Sequence, residues 1–180
     1  FYQALILVPT ITLVEQWEDE CKRFNFSHII KVSSKNQGWR SEIDDIKLKE
    51  SLAESDESSL SFIIITTYAS FSRESTFKQL MSLSKKIQRQ MLLIADEAHN
   101  IGAPNIMSKL DRVKILRRIG LSATPERQFD DKGNKAVMQF FGCDAQYTFE
   151  YSMKEAIDNG FLCRYRYFPH VVRLNEDEMA

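Results

Sequence analysis

The chain has 180 residues, 43% of them hydrophobic and 27% charged, a composition typical of one compact globular domain with room for a short tail or linker. Its 24 Lys and Arg against 25 Asp and Glu give a formal net charge of -1, so a strongly basic nucleic-acid binder is excluded and any such surface has to be local. The three cysteines at positions 21, 143 and 163 fit no metal-ligand spacing or disulfide framework, which favours reduced thiols in a cytoplasmic protein.

The first ten residues, FYQALILVPT, lack the features of a targeting segment, because no basic leader precedes their apolar run. No apolar run in the sequence approaches the roughly 20 residues that a membrane-spanning helix needs. We therefore expect neither a signal peptide nor a membrane partner. The first residue is Phe1 and not methionine, so we expect the chain to be a piece of a larger protein.

Four short apolar runs follow one another along the chain: ALILVPT, SFIIITTY, MLLIADEAH and KILRRIGLSAT. Their consecutive Ile, Leu and Val residues are typical of strands buried on both faces of a parallel sheet. Helical patterns lie between them, and this alternation indicates an α/β fold with right-handed crossovers. The stretches SHIIKVSS and AQYTFEY are interpreted as further strands.

The helical segments carry recognisable start and stop signals. Thr12 and Glu15 have the spacing of a capping box at the start of the first helix, and Ser152 with Glu155 repeats it at the start of a late helix that ends at Gly160. The segments WRSEIDDIKLKESL, FSRESTFKQLMSLSKKIQRQ and NKAVMQFFG, the last closed by Gly142, are also predicted to be helical. The first helix is predicted to turn one face inward, with Leu13, Val14, Trp17, Cys21 and Phe24.

Two further segments are predicted to lie outside the core. The acidic, serine-rich AESDESSLS is interpreted as an exposed loop. In FLCRYRYFPHVVRL, large and polar residues alternate, which predicts a strand that leaves toward another domain, and Pro169 favours an edge or exit position. We therefore expect a main domain over residues 1–160 and an exit strand with linker over residues 161–180.

Each apolar run ends in polar residues that are able to bind a ligand: Pro9-Thr10, Thr66-Thr67-Tyr68, Asp96-Glu97-Ala98-His99 and Ser122-Ala123-Thr124. Ligands of parallel α/β sheets bind at the carboxyl ends of the strands. The sequence therefore predicts one polar site along that edge of the sheet.

The pair Asp96-Glu97 suggests phosphate chemistry. A carboxylate at a strand end can hold Mg²⁺, usually through retained waters, and a second carboxylate one residue later points elsewhere and can accept a proton from a water that attacks a phosphate. A bare Asp-Glu pair is more often an acidic turn, but its combination with SAT at the end of the next run favours phosphoryl transfer.

At these residues a family resemblance appears. IADEAH, followed about 25 residues later by GLSATPER, resembles motifs II and III of DEAH-type superfamily-two helicases. LILVPTITLVEQW resembles their motif Ia, and IIITTYAS stands in the place of their motif Ib region. The sequences of these motifs most resemble those of DNA-directed members such as type III restriction motor subunits and related repair helicases. The resemblance covers residues 1 to about 165.

The resemblance implies a three-layer RecA-like domain with a mostly parallel sheet, and ATP and Mg²⁺ as cofactors. It implies that Asp96 holds Mg²⁺ through water, that Glu97 polarises the attacking water and that His99 senses the nucleotide state. Two further groups have implied roles: Ser122, Ala123 and Thr124 in coupling hydrolysis to domain movement, and Pro9, Thr10 and Thr67 in contacting phosphates of a tracked DNA strand, with RNA not excluded.

The chain departs from that family in one respect. No GxxxxGK[ST] phosphate loop occurs, because the six glycines are scattered at positions 38, 102, 120, 133, 142 and 160. The resemblance places that loop and its strand before Phe1, and a second motor domain with an arginine finger after Ala180. We therefore expect the isolated chain to be inactive, the larger protein to hydrolyse ATP, and the partners to be DNA and the second motor domain rather than a small metabolite.

Several alternatives remain open at this stage. The chain can instead be a non-catalytic nucleic-acid-binding or scaffold module descended from such motors, or a metal-dependent hydrolase that uses Asp96, Glu97 and His99. Thr10 and Thr67 can simply form turns. Ser122 and Thr124 can cap a helix that begins at Pro125.

Overall fold

Five parallel strands form the centre of the molecule. The computed structural model describes residues 2–52, 60–143 and 146–170, and the chain divides into two units, Phe1–Ala145 and Gln146–Ala180. The strands are β1 (Gln3–Val8), β2 (Ile29–Val32), β3 (Phe62–Thr67), β4 (Leu92–Asp96) and β5 (Arg117–Leu121), in the spatial order β2-β3-β1-β4-β5. All four neighbouring pairs are parallel, so the predicted α/β fold with a parallel sheet is confirmed.

Helices connect the strands. The described residues contain α1 (Ile11–Arg23), α2 (Trp39–Leu52), α3 (Tyr68–Phe71), α4 (Glu74–Leu80), α5 (Lys85–Gln90), α6 (Pro104–Met107), α7 (Asp131–Phe141) and α8 (Met153–Asp158), with 3-10 helices at Ala98–Gly102 and Leu110–Arg112. None of these helices has the length and apolarity to cross a membrane.

The segment FSRESTFKQLMSLSKKIQRQ is helical over most of its length, as predicted, but it is divided among the end of α3, α4 and α5. The hydroxyl of Ser84 accepts the backbone N–H of Ile87 and starts α5 anew. Such local side-chain bonds to the backbone compete with helix continuation. By contrast, α2 has the predicted bounds, and Gly142 ends α7 with a φ of 72°.

The start of α1 also differs from the prediction. The N-cap is Thr10, whose hydroxyl accepts the backbone N–H of Leu13 at 3.3 Å, and Thr12 lies within the first turn. The chain leaves β1 at Val8 and is still extended at Thr10, so the helix begins two residues earlier than the capping-box spacing indicated. The capping box predicted at Ser152 and Glu155 is present in α8.

Helices cover both faces of the sheet and make three layers. Alternate residues of β1 point to opposite faces, so Leu5 and Leu7 join one apolar cluster and Ile6 and Val8 join the other. The larger cluster packs α2 to α5 and α7 against the sheet, whereas the smaller one lies under α1 and includes Val14 and Cys21.

Burial on both faces is confirmed for the central strands β1 and β3, but it is wrong for β5. Ile119 and Leu121 are each 44% exposed, because β5 pairs only with β4 among the described residues and its outer edge is free. Gly120, on the opposite face, lies close to the Phe141 ring of α7, since an added Cβ would be 3.0 Å from that ring.

Within residues 146–170, the second unit consists of α8 and loops. The strand predicted for AQYTFEY is wrong over residues 146–151, and the exit strand predicted for residues 161–180 is absent from 161–170. The described part of this unit offers no strand for pairing, and a single strand is not stable alone. The rest of the exit segment, and most of the predicted AESDESSLS loop, lie outside the described residues. The predicted boundary at residue 160 stays a prediction.

Candidate functional site

The polar residues that follow the strands lie along one edge of the sheet, which we call the carboxyl edge. The parallel register pairs Val8 with Thr67 and Asp96 with Leu121, so the strands end nearly level. Pro9 and Thr10 follow β1, and Ser122 follows β5. The segments that the sequence predicts to form one site therefore end on the same side of the sheet.

The carboxylate of Asp96 is held by two N–H groups. The indole Nε1 of Trp17 in α1 donates to Oδ2 at 3.0 Å, and the backbone N–H of Glu97 donates to Oδ1 at 3.0 Å. The hydroxyl of Tyr68 donates to the backbone carbonyl of Asp96 at 2.8 Å. Burial, together with the charges of Asp96 and Glu97, raises the pKa of Tyr68, so its phenol remains a proton donor at neutral pH.

This environment fits a magnesium ion bound together with a nucleotide. A carboxylate has about four lone-pair positions, so each oxygen of Asp96 can accept a further bond from a metal-bound water. Sites of this kind use one or two carboxylates and complete the coordination with substrate phosphates and water. No group of three or more His, Cys, Asp and Glu that could hold a metal occurs in the described residues.

Glu97 has a left-handed backbone, with φ 50° and ψ 58°, which is strained for a residue other than glycine. The side chain lies against the loop after β5, where the hydroxyl of Ser122 donates to Oε2 at 3.2 Å. The side-chain amide of Asn100 donates to the Glu97 carbonyl at 2.9 Å and holds the turn. The two adjacent carboxylates therefore face different neighbours, Asp96 toward α1 and Glu97 toward β5.

His99 joins Glu97 to the loop after β5. Its Nδ1 lies 3.2 Å from Ser122 Oγ and 3.5 Å from Glu97 Oε2, and its Nε2 lies 3.4 Å from the side-chain amide of Asn100. The tautomer with its proton on Nδ1 satisfies this geometry, since Nε2 then accepts from the amide. Nδ1–H then donates to Ser122 Oγ, which also accepts the backbone N–H of Thr124 at 3.2 Å.

Ser122 is thus the junction of this network, while its neighbours Ala123 and Thr124 are exposed. The side chain of Thr124 has no role in the network, since only its backbone N–H takes part. Residues 122–130 form no helix, so the alternative that Ser122 and Thr124 cap a helix at Pro125 is wrong.

Thr10 and Thr67 are both helix N-caps. Thr10 caps α1, and Thr67 caps α3 by accepting the backbone N–H of Ser70 at 3.1 Å. Each cap uses a lone pair of the hydroxyl and leaves its proton free to donate to another acceptor. Both threonines therefore have a local structural role, as the turn-forming alternative expects. A contact between their hydroxyls and phosphate is compatible with that role.

Three supporting residues were missed in the sequence. The sequence patterns place Trp17 in the core, mark Tyr68 only at a strand end and give Arg127 no role. Arg127 instead donates to the His99 carbonyl at 3.2 Å and to Asp130 at 2.6 Å. One chemical property could have indicated Trp17 and Tyr68: a tryptophan or tyrosine that is largely buried requires a hydrogen-bond partner for its polar atom.

Comparison with known proteins identifies the family of this chain. Residues 1–127 match the family model described as type III restriction enzyme, res subunit. A search of curated proteins finds no significant match. The members of this family are helicase-like, with an ATP-dependent motor domain that acts on nucleic acid, and the parallel sheet is consistent with their RecA-like fold. The matched residues make up more than half of the sequence, and the chain therefore belongs to the family of type III restriction enzyme res subunits.

Proposed function

We propose that the chain is part of the first motor domain of a DEAH-type superfamily-two enzyme that couples ATP hydrolysis to movement along DNA. One observation carries the proposal: Glu97, next to the Asp96 carboxylate, is hydrogen-bonded to Ser122 at the end of the neighbouring strand. Phosphoryl transfer requires a positioned nucleophile and a metal on the phosphate oxygens, and these two carboxylates are arranged for these tasks. RNA remains the alternative nucleic acid.

Each residue has a defined part in this proposal. Asp96, oriented by Trp17, would hold Mg²⁺ through water. Bound ATP would supply the electrophilic phosphate, and bound Mg²⁺ would neutralise the charge that develops on it. Glu97 orients the attacking water and accepts its proton at the carboxylate. The strained backbone of Glu97 aims its side chain away from Asp96, so the two carboxylates act on different atoms.

The coupling role of motif III is proposed for Ser122, with Ala123 and Thr124 in the same loop. Ser122 Oγ contacts the catalytic carboxylate, the His99 ring and the backbone of Thr124 at once. A change in the protonation or position of Glu97 therefore alters a hydrogen bond in the loop after β5. This loop is the one that we expect to face the second motor domain.

We further propose that the strand with the phosphate loop pairs with the free edge of β5. Two features support this. Strand β5 has a single partner among the described strands. Ile119 and Leu121 are exposed, and they lie on the same face of the sheet as Ile94, which packs against the smaller apolar cluster.

The isolated chain is expected to be inactive, because it lacks the amides and the lysine of the phosphate loop. It also lacks an arginine finger, whose loss alone costs about 10³- to 10⁵-fold in rate. The boundaries 1–160 and 161–180 and a cytoplasmic location remain proposals of the same kind.

The test compares the 180 residues with the longer protein that contains them. Phosphate release is measured with and without single-stranded DNA. The longer protein is expected to show DNA-stimulated turnover that Glu97→Gln abolishes, with Glu15→Gln, an exposed α1 carboxylate, as the matched control. The isolated chain is expected to release none. Turnover by the isolated chain that depends on Glu97 would refute the proposed inactivity.

The second candidate is a nucleic-acid-binding scaffold, descended from such motors, that has lost catalysis. The same measurement separates the two. A longer protein that binds DNA but releases no phosphate, and that lacks a GxGKT-like loop upstream of Phe1, supports the scaffold.

A further inference from the structure

Arg127, in the loop between β5 and α7, is anchored to α7 through its backbone. Its backbone N–H donates to Oδ1 of Asn134 at 2.7 Å, and its carbonyl accepts the side-chain amide of Asn134 at 3.0 Å. One asparagine therefore binds both polar groups of the Arg127 backbone, as a neighbouring strand would. Asn134 lies in the first turn of α7, so the position of Arg127 follows the position of this helix.

The guanidinium of Arg127 is also fixed. Its Nε donates to Oδ2 of Asp130 at 2.6 Å, and the other oxygen of Asp130 accepts the backbone N–H of Gly133 at 2.8 Å and caps α7. The bond from Arg127, followed by the bond from Gly133, lowers the pKa of Asp130, so the ion pair is complete at neutral pH. A guanidinium is planar, so the bond at Nε determines where its other nitrogens point.

One of these nitrogens, Nη1, donates to the backbone carbonyl of His99 at 3.2 Å. His99 lies in the 3-10 helix Ala98–Gly102, which directly follows the strained Glu97. A 3-10 helix has poorer hydrogen-bond geometry than an α-helix, so a bond from outside has more influence on its position. The ring of His99 contacts Ser122, and Ser122 contacts Glu97. Arg127 is thus connected to the catalytic carboxylate through two residues.

Two glycines allow this contact between the 3-10 helix and α7. A Cβ at Gly102 would lie 2.7 Å from the carbonyl oxygen of Gly133 and 2.7 Å from Cδ of Arg127. A Cβ at Gly133 would lie 2.8 Å from Nε of Arg127. Real Cβ atoms essentially never come within 3.0 Å of another atom, so the two helices are closer here than a residue with a side chain would allow.

We propose that Arg127 is a positioning residue, which holds the His99 backbone so that the His99 ring stays against Ser122. The inference rests on the proposed function, because it gives Arg127 a part in the hydrolysis attributed to Glu97. Without the guanidinium, the His99 carbonyl loses its donor and the ring is free to leave Ser122. Ser122 then orients Glu97 less well, and hydrolysis slows although the carboxylates that act on Mg²⁺ and water remain.

The first test observes the His99 ring directly in the 180-residue chain, without nucleotide. The chain has three histidines, so a proton–nitrogen correlation spectrum of the imidazoles is simple, and His99→Ala identifies the His99 signals. At pH 8, where an ordinary imidazole is neutral, the wild type is expected to show one dominant His99 tautomer, with its proton on Nδ1. Arg127→Met keeps the stem beside Gly102 and is expected to shift both His99 nitrogen signals toward those of the exposed His170.

Two further variants separate positioning from a general loss of stability. Arg23→Met removes an arginine from an ion pair of the same spacing, with Glu20 on the surface of α1, and its His99 signals should equal those of the wild type. Gly102→Ala leaves the guanidinium in place but forces the 3-10 helix away from α7, so it should shift the His99 signals as Arg127→Met does. If circular dichroism shows that one of these last two variants is unfolded, the other decides.

The second test measures phosphate release by the longer protein over a range of ATP concentrations. Arg127→Met is expected to lower kcat about tenfold, the lower end of the effect for a lost hydrogen bond from a charged group. The KM for ATP should not change, because Arg127 does not contact the nucleotide. In a His99→Ala background, Arg127→Met should have no further effect on kcat, whereas a loss through instability would lower kcat in both backgrounds.

Three results overturn the proposal: a wild type without a dominant His99 tautomer, wild-type His99 signals in both Arg127→Met and Gly102→Ala, or an equal fall of kcat for Arg127→Met with and without His99. Each result leaves the proposed function intact if Glu97→Gln still abolishes phosphate release. Conversely, a longer wild-type protein that releases no phosphate refutes the proposed function and with it the positioning role, even if the His99 signals shift as expected.

Discussion

The indole N–H of Trp17 lies 3.0 Å from Oδ2 of Asp96 and connects α1 to the end of β4. The same helix begins at Thr10, which caps it at the carboxyl edge. Helix α1 therefore contacts the proposed magnesium ligand with one side chain and presents the proposed strand-binding threonine at its start. A shift of α1 that follows from binding at Thr10 would move the donor that orients Asp96.

Replacement of Trp17 by Phe removes this donor and keeps most of the apolar surface under α1. Residues that orient a metal ligand typically change metal affinity or activity by about 10- to 100-fold when they are lost. We expect the longer protein to require about tenfold more Mg²⁺ for half-maximal DNA-stimulated ATP hydrolysis. The measurement is a Mg²⁺ titration of the phosphate-release rate.

Tyr2→Phe is the matched control for this variant, because it removes the polar atom of an aromatic side chain that is bonded to Ser27, near the opposite edge of the sheet. Its Mg²⁺ requirement should not change. An equal Mg²⁺ requirement in the wild type and in Trp17→Phe would show that the Trp17–Asp96 bond has no part in the proposed site.

The sheet was predictable because its signals are local. Consecutive apolar residues followed by polar residues located the strands β1, β3 and β4, and the parallel topology followed from the helices between them. The exposure of β5 has one local signal in the sequence, the charged pair Arg117 and Arg118, but its free edge depends on which strand lies beside it and was not predictable. The break before α5 depends on one hydrogen bond to the Ser84 hydroxyl, and the sequence alone did not predict that this bond would interrupt the helix.

For the candidate site, the sequence identified the residues on the strand ends but not the contacts between elements. Spacing indicated that Asp96 and Glu97 point to different places, yet it carried no information on which side chain meets each carboxylate. Trp17 and Asp96 are 79 residues apart, and Ser122 lies 25 residues from Glu97, so these pairs exist only after the strands align.

The left-handed conformation of Glu97 predicts an unusual order of stability among substitutions. A residue with a Cβ in this region costs about 1 kcal/mol relative to glycine. We therefore expect Glu97→Gly to be about 1 kcal/mol more stable to urea than Glu97→Ala. At Glu15, inside α1, the order should reverse, because glycine is about 1 kcal/mol worse than alanine in a helix. Equal stability of the two Glu97 variants would contradict a strained backbone there.

The Ser122 junction predicts a variant that separates hydrolysis from movement. Ser122→Ala removes the bond to Glu97 and the acceptor for His99 and Thr124, but it leaves Asp96 and Glu97 in place. We expect ATP hydrolysis by the longer protein to fall by less than about tenfold, since one such hydrogen bond contributes about 1 kcal/mol. The distance travelled per ATP, measured by triplex displacement on DNA, should fall further.

Ser108→Ala serves as the comparison, because that exposed hydroxyl bonds only to the Asn105 carbonyl in α6. Its ratio of displacement to hydrolysis should equal that of the wild type. An unchanged ratio in Ser122→Ala as well would remove Ser122 from the coupling role and leave it as a support for Glu97.

The ion cluster around Glu74 predicts a pH dependence of stability. The guanidinium of Arg112, with two bonds of 2.9 Å, and the ammonium of Lys109 at 2.8 Å lower the pKa of Glu74 to about 2. A carboxyl whose pKa is depressed in the folded state stabilises the protein above its ordinary pKa, and this stabilisation is lost as the pH falls through the folded value. The wild type should therefore exceed Glu74→Gln in stability at pH 7, and the difference should shrink between about pH 4.5 and pH 2.

Urea denaturation of both proteins at pH 7, 4.5 and 2.5 measures this difference directly, since the titration of all other groups is common to the pair. Glu74→Gln leaves Lys109, a residue that is only 8% exposed, without its carboxylate partner, so the effect should exceed that of Glu20→Gln, whose partner Arg23 is solvated. A difference that stays constant from pH 7 to pH 2.5 would mean that packing of the Glu74 side chain, and not its charge, holds α4 against the Leu110–Arg112 turn.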